Sequence, residues 1–159
     1  ANHESLRQVR ENTGVPLCVG ERHFTRWDYT PLFNYRLVDY IMPDVAWCGG
    51  ISEFRRIAAL AETYYIPVSP HDALGPVAIG ASFQLCMNIT NLYRQECIHT
   101  WFSEFEKIIT PMFEIENGSI IPNGNPGIGF DFIPEGLEKY RVDPEDNRSK
   151  PMWFNKSFD

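Results

Sequence analysis

Four short apolar runs rich in β-forming residues punctuate the chain: Pro16-Leu17-Cys18-Val19-Gly20, Val38-Asp39-Tyr40-Ile41-Met42, Ile66-Pro67-Val68-Ser69 and Leu92-Tyr93-Arg94-Gln95. The first two are nearly continuous in apolar character, as strands covered on both faces are. Each run ends in a polar or ionisable residue, respectively Glu21, Asp44, His71 and Glu96, with steps of 23, 27 and 25 residues between those ends. Helical patterns fill the gaps. Ile51, Phe54, Ile57, Leu60, Ala61 and Tyr64 recur at three and four behind Gly49-Gly50, while Glu53, Arg55, Arg56 and Glu62 lie mostly off that stripe. Val77 to Ile89 reads as a second helix, apolar almost all round and opened by Gly75-Pro76. Thr30-Pro31 starts a weaker third helix through Leu37, and Glu4 to Asn12 reads as the tail of a helix that began earlier.

Strand, helix, strand, helix at this spacing predicts βαβ units and a parallel sheet. Ionisable residues at C-terminal strand ends are where a (β/α)8 barrel keeps its chemistry. A doubly wound sheet would carry a Gly-rich phosphate turn. Gly124-Asn125-Pro126-Gly127-Ile128-Gly129 does not sit between a strand and a helix. A full barrel needs about 250 residues, and the rhythm here supplies about four units. The expected fold class is therefore α/β, the C-terminal half of a barrel over residues 1–110. Beyond that the rhythm stops. Turn dipeptides Asn117-Gly118, Asn123-Gly124 and Pro126-Gly127 and a short helix from Pro134 to Tyr140 mark 111–159 as a wrapping segment. Trp153 and Phe154 are its expected anchors in the polar tail from Asp143 to Asp159.

Composition narrows the classes. Apolar residues make up 43% and charged residues 22%, a globular balance that excludes a disordered tail or coiled coil. The net charge of −7, with no Lys/Arg cluster, argues against a nucleic-acid binder. No run approaches the roughly 18 apolar residues of a membrane helix, and the opening ANHESLRQVR has no signal-peptide core. Cys18, Cys48, Cys86 and Cys97 lack CxxC spacing and are expected to be buried thiols of a cytoplasmic protein.

Each strand-end group admits two readings. Glu21 is a hard oxygen donor suited to Mg²⁺, or a surface glutamate paired with Arg22 or Arg26. Asp44 and His71 end consecutive strands, so the carboxylate can fix the imidazole tautomer and leave the other nitrogen to abstract a proton. Alternatively Asp44 serves the loop before Gly49-Gly50, and His71 is a loop histidine after Pro70. Glu96 can hydrogen-bond an anionic oxygen if it stays protonated, or it is an ordinary salt-bridged glutamate. His23, Arg22 and Trp47 lie just past strand ends, and His3 and His99 have no supporting context. All five are held as structural.

Gly20-Glu21-Arg22, Pro43-Asp44, Cys48-Gly49-Gly50-Ile51-Ser52-Glu53, Pro70-His71, Leu74-Gly75-Pro76 and Gln95-Glu96 together resemble the mandelate racemase branch of the enolase superfamily. Within it the resemblance is to galactonate dehydratase-like sugar-acid dehydratases, and Pro126-Gly127-Ile128-Gly129 is similar to that group's C-terminal turn. The resemblance runs from about residue 14 to 140. It implies Glu21 as one carboxylate ligand of Mg²⁺, Asp44 and His71 as a dyad with His71 the general base, and Glu96 as the carboxyl that steadies the enolate. It further implies a carbon–oxygen lyase of carbohydrate catabolism. Such an enzyme removes the proton α to a sugar-acid carboxylate and expels the 3-hydroxyl, giving a 2-keto-3-deoxy acid. The metal offsets the developing charge. The resemblance places two further Mg²⁺ carboxylates, the leaving-group acid and a capping domain on a missing N-terminal part. The wrapping segment would then pack on barrel and cap, the chain alone would be inactive, and the complete enzyme is expected to be a homo-oligomer. Two other readings stand beside it: a racemase or epimerase of a 2-hydroxy acid on the same scaffold, and a non-catalytic half-barrel binding module.

Overall fold

A computed structural model describes residues 2–142. The tail with Trp153 and Phe154 lies outside the described residues. In chain order the elements are α1 (His3–Asn12), β1 (Cys18–Val19), α2 (Thr25–Asn34), β2 (Tyr40–Ile41), α3 (Ile51–Thr63), α4 (Pro76–Cys86), α5 (His99–Phe105), β3 (Phe113–Glu116), β4 (Ser119–Pro122) and α6 (Pro134–Lys139). β1 and β2 pair in parallel, Cys18 opposite Tyr40 and Val19 opposite Ile41. The third and fourth apolar runs join by single parallel bridges, Ile41 to Val68 and Val68 to Leu92. The four runs thus lie side by side in chain order, but only two form named strands.

Helices α2, α3 and α4 pack in sequence and bury one face of these runs. Tyr29, Leu32 and Phe33 of α2 meet Phe54, Ile57 and Ala61 of α3, with Ile41 and Val68 beneath them. The α3 stripe behaves as its period predicts at Phe54, Ile57 and Ala61, which are fully buried, whereas Ile51 at its head is exposed. Glu53 departs from the predicted outer face. It is buried, because it answers charges on α2.

Helix α2 starts at Thr25, five residues ahead of the Thr30 predicted, and carries Pro31 inside it. Its first turn is capped by distant groups. Thr25 N–H donates to the Cys48 carbonyl at 2.9 Å, and Arg26 N–H donates to Glu53 Oε1 at 2.9 Å. Asp28 reaches back to the Phe24 N–H at 2.9 Å. These partners satisfy donors that an isolated sequence leaves orphaned. Helix α1 opens at His3 with a local cap, Asn2 accepting from Ser5 N–H at 3.0 Å. Arg10 of α1 forks onto Asp39 ahead of Tyr40, Nη2 lying 2.9 Å from Oδ1.

The second face of the strands is open among the described residues. Cys18 is exposed and Cys97 is half-buried, so only Cys48 and Cys86 are the buried thiols expected. All four are free. Past residue 110, β3 and β4 form an antiparallel hairpin around Asn117-Gly118, both with positive φ as a two-residue turn requires. This segment packs on α4 through Ile79, Ile109, Met112 and Phe130. Gly80 permits the approach, since a Cβ there would stand 2.9 Å from the Ile128 carbonyl. No described helix is long and apolar enough to cross a membrane.

Candidate active site

The geometry begins at Gly20. Its φ is +141°, and a Cβ would meet Tyr29 Cε1 at 2.9 Å and the Met42 nitrogen at 3.1 Å. The Tyr29 hydroxyl donates to the Gly20 carbonyl at 2.7 Å. Only glycine lets the end of β1 lie this close to β2, and Glu21 follows directly.

Asp44, just past β2, is 1% exposed. Its Oδ1 accepts from Ala46 N–H at 2.7 Å and Trp47 N–H at 3.3 Å, closing the turn toward Gly49-Gly50. Its Oδ2 lies 2.8 Å from His71 Nδ1. His71 is held in register by its own N–H donating to the Pro43 carbonyl at 3.1 Å. The carboxylate assigns the proton to Nδ1 and leaves the Nε2 lone pair free. That nitrogen stands 3.4 Å from Glu21 Oε2. Asp44 therefore serves both readings at once, the loop with one oxygen and the imidazole with the other.

Glu21 is half-exposed. Its second oxygen accepts from Arg22 Nε at 3.3 Å, a solvent-facing contact. Arg26 turns instead to Glu53, with Nη1 2.6 Å from Oε2. Glu96 enters through its neighbour, Oε2 accepting from Asp72 N–H at 2.9 Å. Glu21, Asp44 and His71 are thus in contact, and Glu96 is tied to the residue after His71.

Asp72 was not among the predicted site residues. It is 1% exposed, and its Oδ2 accepts from Ser82 Oγ and Gln95 Nε2, each at 2.9 Å. Its Oδ1 has no partner among the described residues. Burial pushes its carboxyl up to about 7, against the pull of those two donors. The signal available was adjacency: in extended backbone, neighbours of an inward-facing His71 turn the other way.

Of the residues held as structural, Arg22 reaches this contact set through Glu21 and Trp47 through its backbone N–H to Asp44, whereas His23 stays apart from it. His23 is buried with its ring 5.3 Å from Tyr29, and desolvation lowers its proton affinity. Trp47 is exposed and stacks edgewise on Phe24 at 5.9 Å.

As chemistry, a buried carboxylate orienting an imidazole whose far nitrogen faces Glu21 has the arrangement of a proton acceptor. The set is not a metal cage. Among the described residues no group of three His, Cys, Asp or Glu side chains can hold an ion. Glu21 fits as one hard oxygen donor only.

The family described as Enolase C-terminal domain-like matches residues 1–136. A D-mannonate dehydratase of Sphingomonas sp. (strain SKA58) is 36% identical over 138 residues, covering 86% of this chain and 34% of the relative. A D-galactonate dehydratase of Xanthomonas euvesicatoria pv. vesicatoria (strain 85-10) is 31% identical over 156 residues, covering 94% and 41%. The crystal structure of a mandelate racemase/muconate lactonizing enzyme-like protein from Rubrobacter xylanophilus DSM 9941 superposes with a TM-score of 0.80 at 37% identity, covering 89% of this chain and 36% of that one. The chain spans between a third and two fifths of the length of these relatives.

Proposed function

The chain belongs to the Enolase C-terminal domain-like family, and we propose that it is the C-terminal portion of a Mg²⁺-dependent sugar-acid dehydratase. In this reading residues 1–110 are about four βα units of a (β/α) barrel, and 111–159 pack around it. The observation that carries the reading is the Asp44–His71 contact with the free His71 nitrogen facing Glu21. The relatives' names, which share dehydration and differ in the sugar acid, supply the reaction class.

His71 Nε2 takes the proton from the carbon α to the substrate carboxylate. Asp44 holds the ring and stabilises the imidazolium that results. Glu96, in its protonated form, donates to an anionic oxygen of the enolised carboxylate. Glu21 is this chain's one ligand for Mg²⁺, the others lying on the rest of the longer protein. The ion, when bound, offsets negative charge developing on the substrate carboxylate. The 3-hydroxyl then leaves as water, protonated by an acid on the rest of the longer protein, and the resulting enol tautomerises to a 2-keto-3-deoxy acid.

The test uses the complete protein that carries this chain, incubated in D₂O with Mg²⁺ and a panel of six-carbon aldonates. A new carbonyl product is expected. His71→Asn should lower α-hydrogen exchange by at least about 100-fold, the low end of a general base's contribution. Exchange that survives in this variant removes His71 as the base. A stereoisomer that has lost no water and carries solvent deuterium on its α-carbon, in place of the keto acid, moves the reading to a racemase or epimerase.

A further inference from the structure

We propose that Asp72 is a positioning residue that sets the Glu96 carboxyl in place, an inference that rests on the reading of Glu96 above. The argument is one of reciprocal contacts. The backbone N–H of residue 72 donates to Glu96 Oε2 at 2.9 Å, while the side chain of residue 72 accepts from Gln95 Nε2 at 2.9 Å. One residue therefore grips two successive side chains at the end of the fourth run. The same carboxyl oxygen takes Ser82 Oγ from α4, at 2.9 Å, which is itself fully buried. The loop after His71, the fourth run and α4 are thus fastened at one point.

A carboxyl buried this deeply is costly to desolvate, and a packing role alone is met better by an apolar side chain. What Asp72 adds is direction. Two donors converge on Oδ2 and lock its rotamer. That rotamer locks Gln95, and the neighbouring backbone amide then presents a fixed donor to Glu96. A carboxyl that must meet a developing charge loses its advantage when it is free to swing, because orientation then has to be supplied during the reaction. His71 lies one residue away, so the base and the stabilising carboxyl share this mount.

The experiment compares kcat, KM and thermal unfolding in the complete protein for Asp72→Ala, Asp72→Asn and Gln95→Leu, each also built on Glu96→Gln. Asp72→Ala is expected to lower kcat by about 10–100-fold, the range typical of lost orienting contacts, with KM little changed. Asp72→Asn, which keeps an acceptor for Ser82 and Gln95, should recover most of that loss. On the Glu96→Gln background, Asp72→Ala should add almost nothing, because the group it positions is already impaired. An equal fall in kcat on both backgrounds overturns the proposal, as does an active parent indifferent to Asp72→Ala. If Asp72→Ala fails to fold, Gln95→Leu must show the same dependence on Glu96. A parent inactive on every aldonate counts against the dehydratase reading instead. The fastening is then read from unfolding free energies, where additive effects of Asp72→Ala and Gln95→Leu overturn it whatever the activity.

Discussion

The Asp44 carboxylate divides its two oxygens between a turn and an imidazole, and a substitution must disturb both. In Asp44→Asn the amide oxygen can keep the Ala46 contact at Oδ1, which leaves an amide donor facing His71 Nδ1–H. Two donors repel, so the ring shifts its proton to Nε2 and the base is lost from the reactive side. Turnover of the complete protein is expected to fall by about 10–100-fold without vanishing. ¹⁵N shifts of the imidazole should report the tautomer change. Asp72 supplies a pH signature of its own. Burial holds its carboxyl up to about 7 in the folded chain, against about 4 unfolded. The folded state therefore binds the extra proton between those values, and stability from this group falls as pH rises through that window. The Tm of Asp72→Asn relative to the parent should climb from pH 4 to pH 8. Asp39 and Glu53, both held below the usual carboxylate range by Arg10 and by the Arg26 N–H, are common to both proteins and cancel. A flat difference would show that Asp72 ionises freely. The strand-end residues Glu21, Asp44, His71 and Glu96 were visible in the sequence because each closes an apolar run at a regular step. Asp72 was hidden because its meaning lies in Ser82 and Gln95, 10 and 23 residues away.

At the scale of elements, what the sequence shows is where burial has a period, and what it hides is where caps come from afar. The stripe of α3 was legible because its apolar positions face one core. The start of α2 was not, because Cys48 and Glu53, far along the chain, cap Thr25 and Arg26, and only the Asp28 contact to Phe24 is local. Asn117-Gly118 read as a turn, yet the strands beside it were missed. Phe113–Glu116 and Ser119–Pro122 are mostly exposed and lack the alternation that betrays a half-buried strand. Glu53→Ala should accordingly lower Tm by uncapping α2 and leaving Arg26 without its partner, whereas Glu4→Ala, on an exposed ion pair of α1, should leave it nearly unchanged. Gly80→Ala tests the seam between α4 and the turn at 126–130. The added methyl meets the Ile128 carbonyl at 2.9 Å, and overpacking of this kind costs about 1–3 kcal/mol. Chemical denaturation would measure it, and a neutral result would mean the 126–130 turn yields freely.

For the whole molecule, the unequal covering of the two strand faces decides how the chain behaves by itself. Ile41 and Val68 are sealed under the helices, while Cys18 is exposed and Leu92 is 39% exposed. Among the described residues β1 has a strand neighbour on one side only. An open parallel edge beside uncovered apolar side chains is a template for association. The parallel order was legible from the rhythm of the runs. The open face was not, because near-continuous apolar strands predict cover on both sides without saying which residues supply it. The relatives, about two and a half times as long, carry additional chain on the same family framework. If that additional chain closes the open face in the complete protein, the 159-residue chain expressed alone should self-associate with rising concentration in sedimentation velocity. Its Cys18 should react with a thiol reagent such as DTNB faster than the same cysteine in the complete protein. A chain that stays monomeric at high concentration, with Cys18 equally reactive in both forms, would mean that this face is meant for solvent and that the barrel reading of residues 1–110 is wrong.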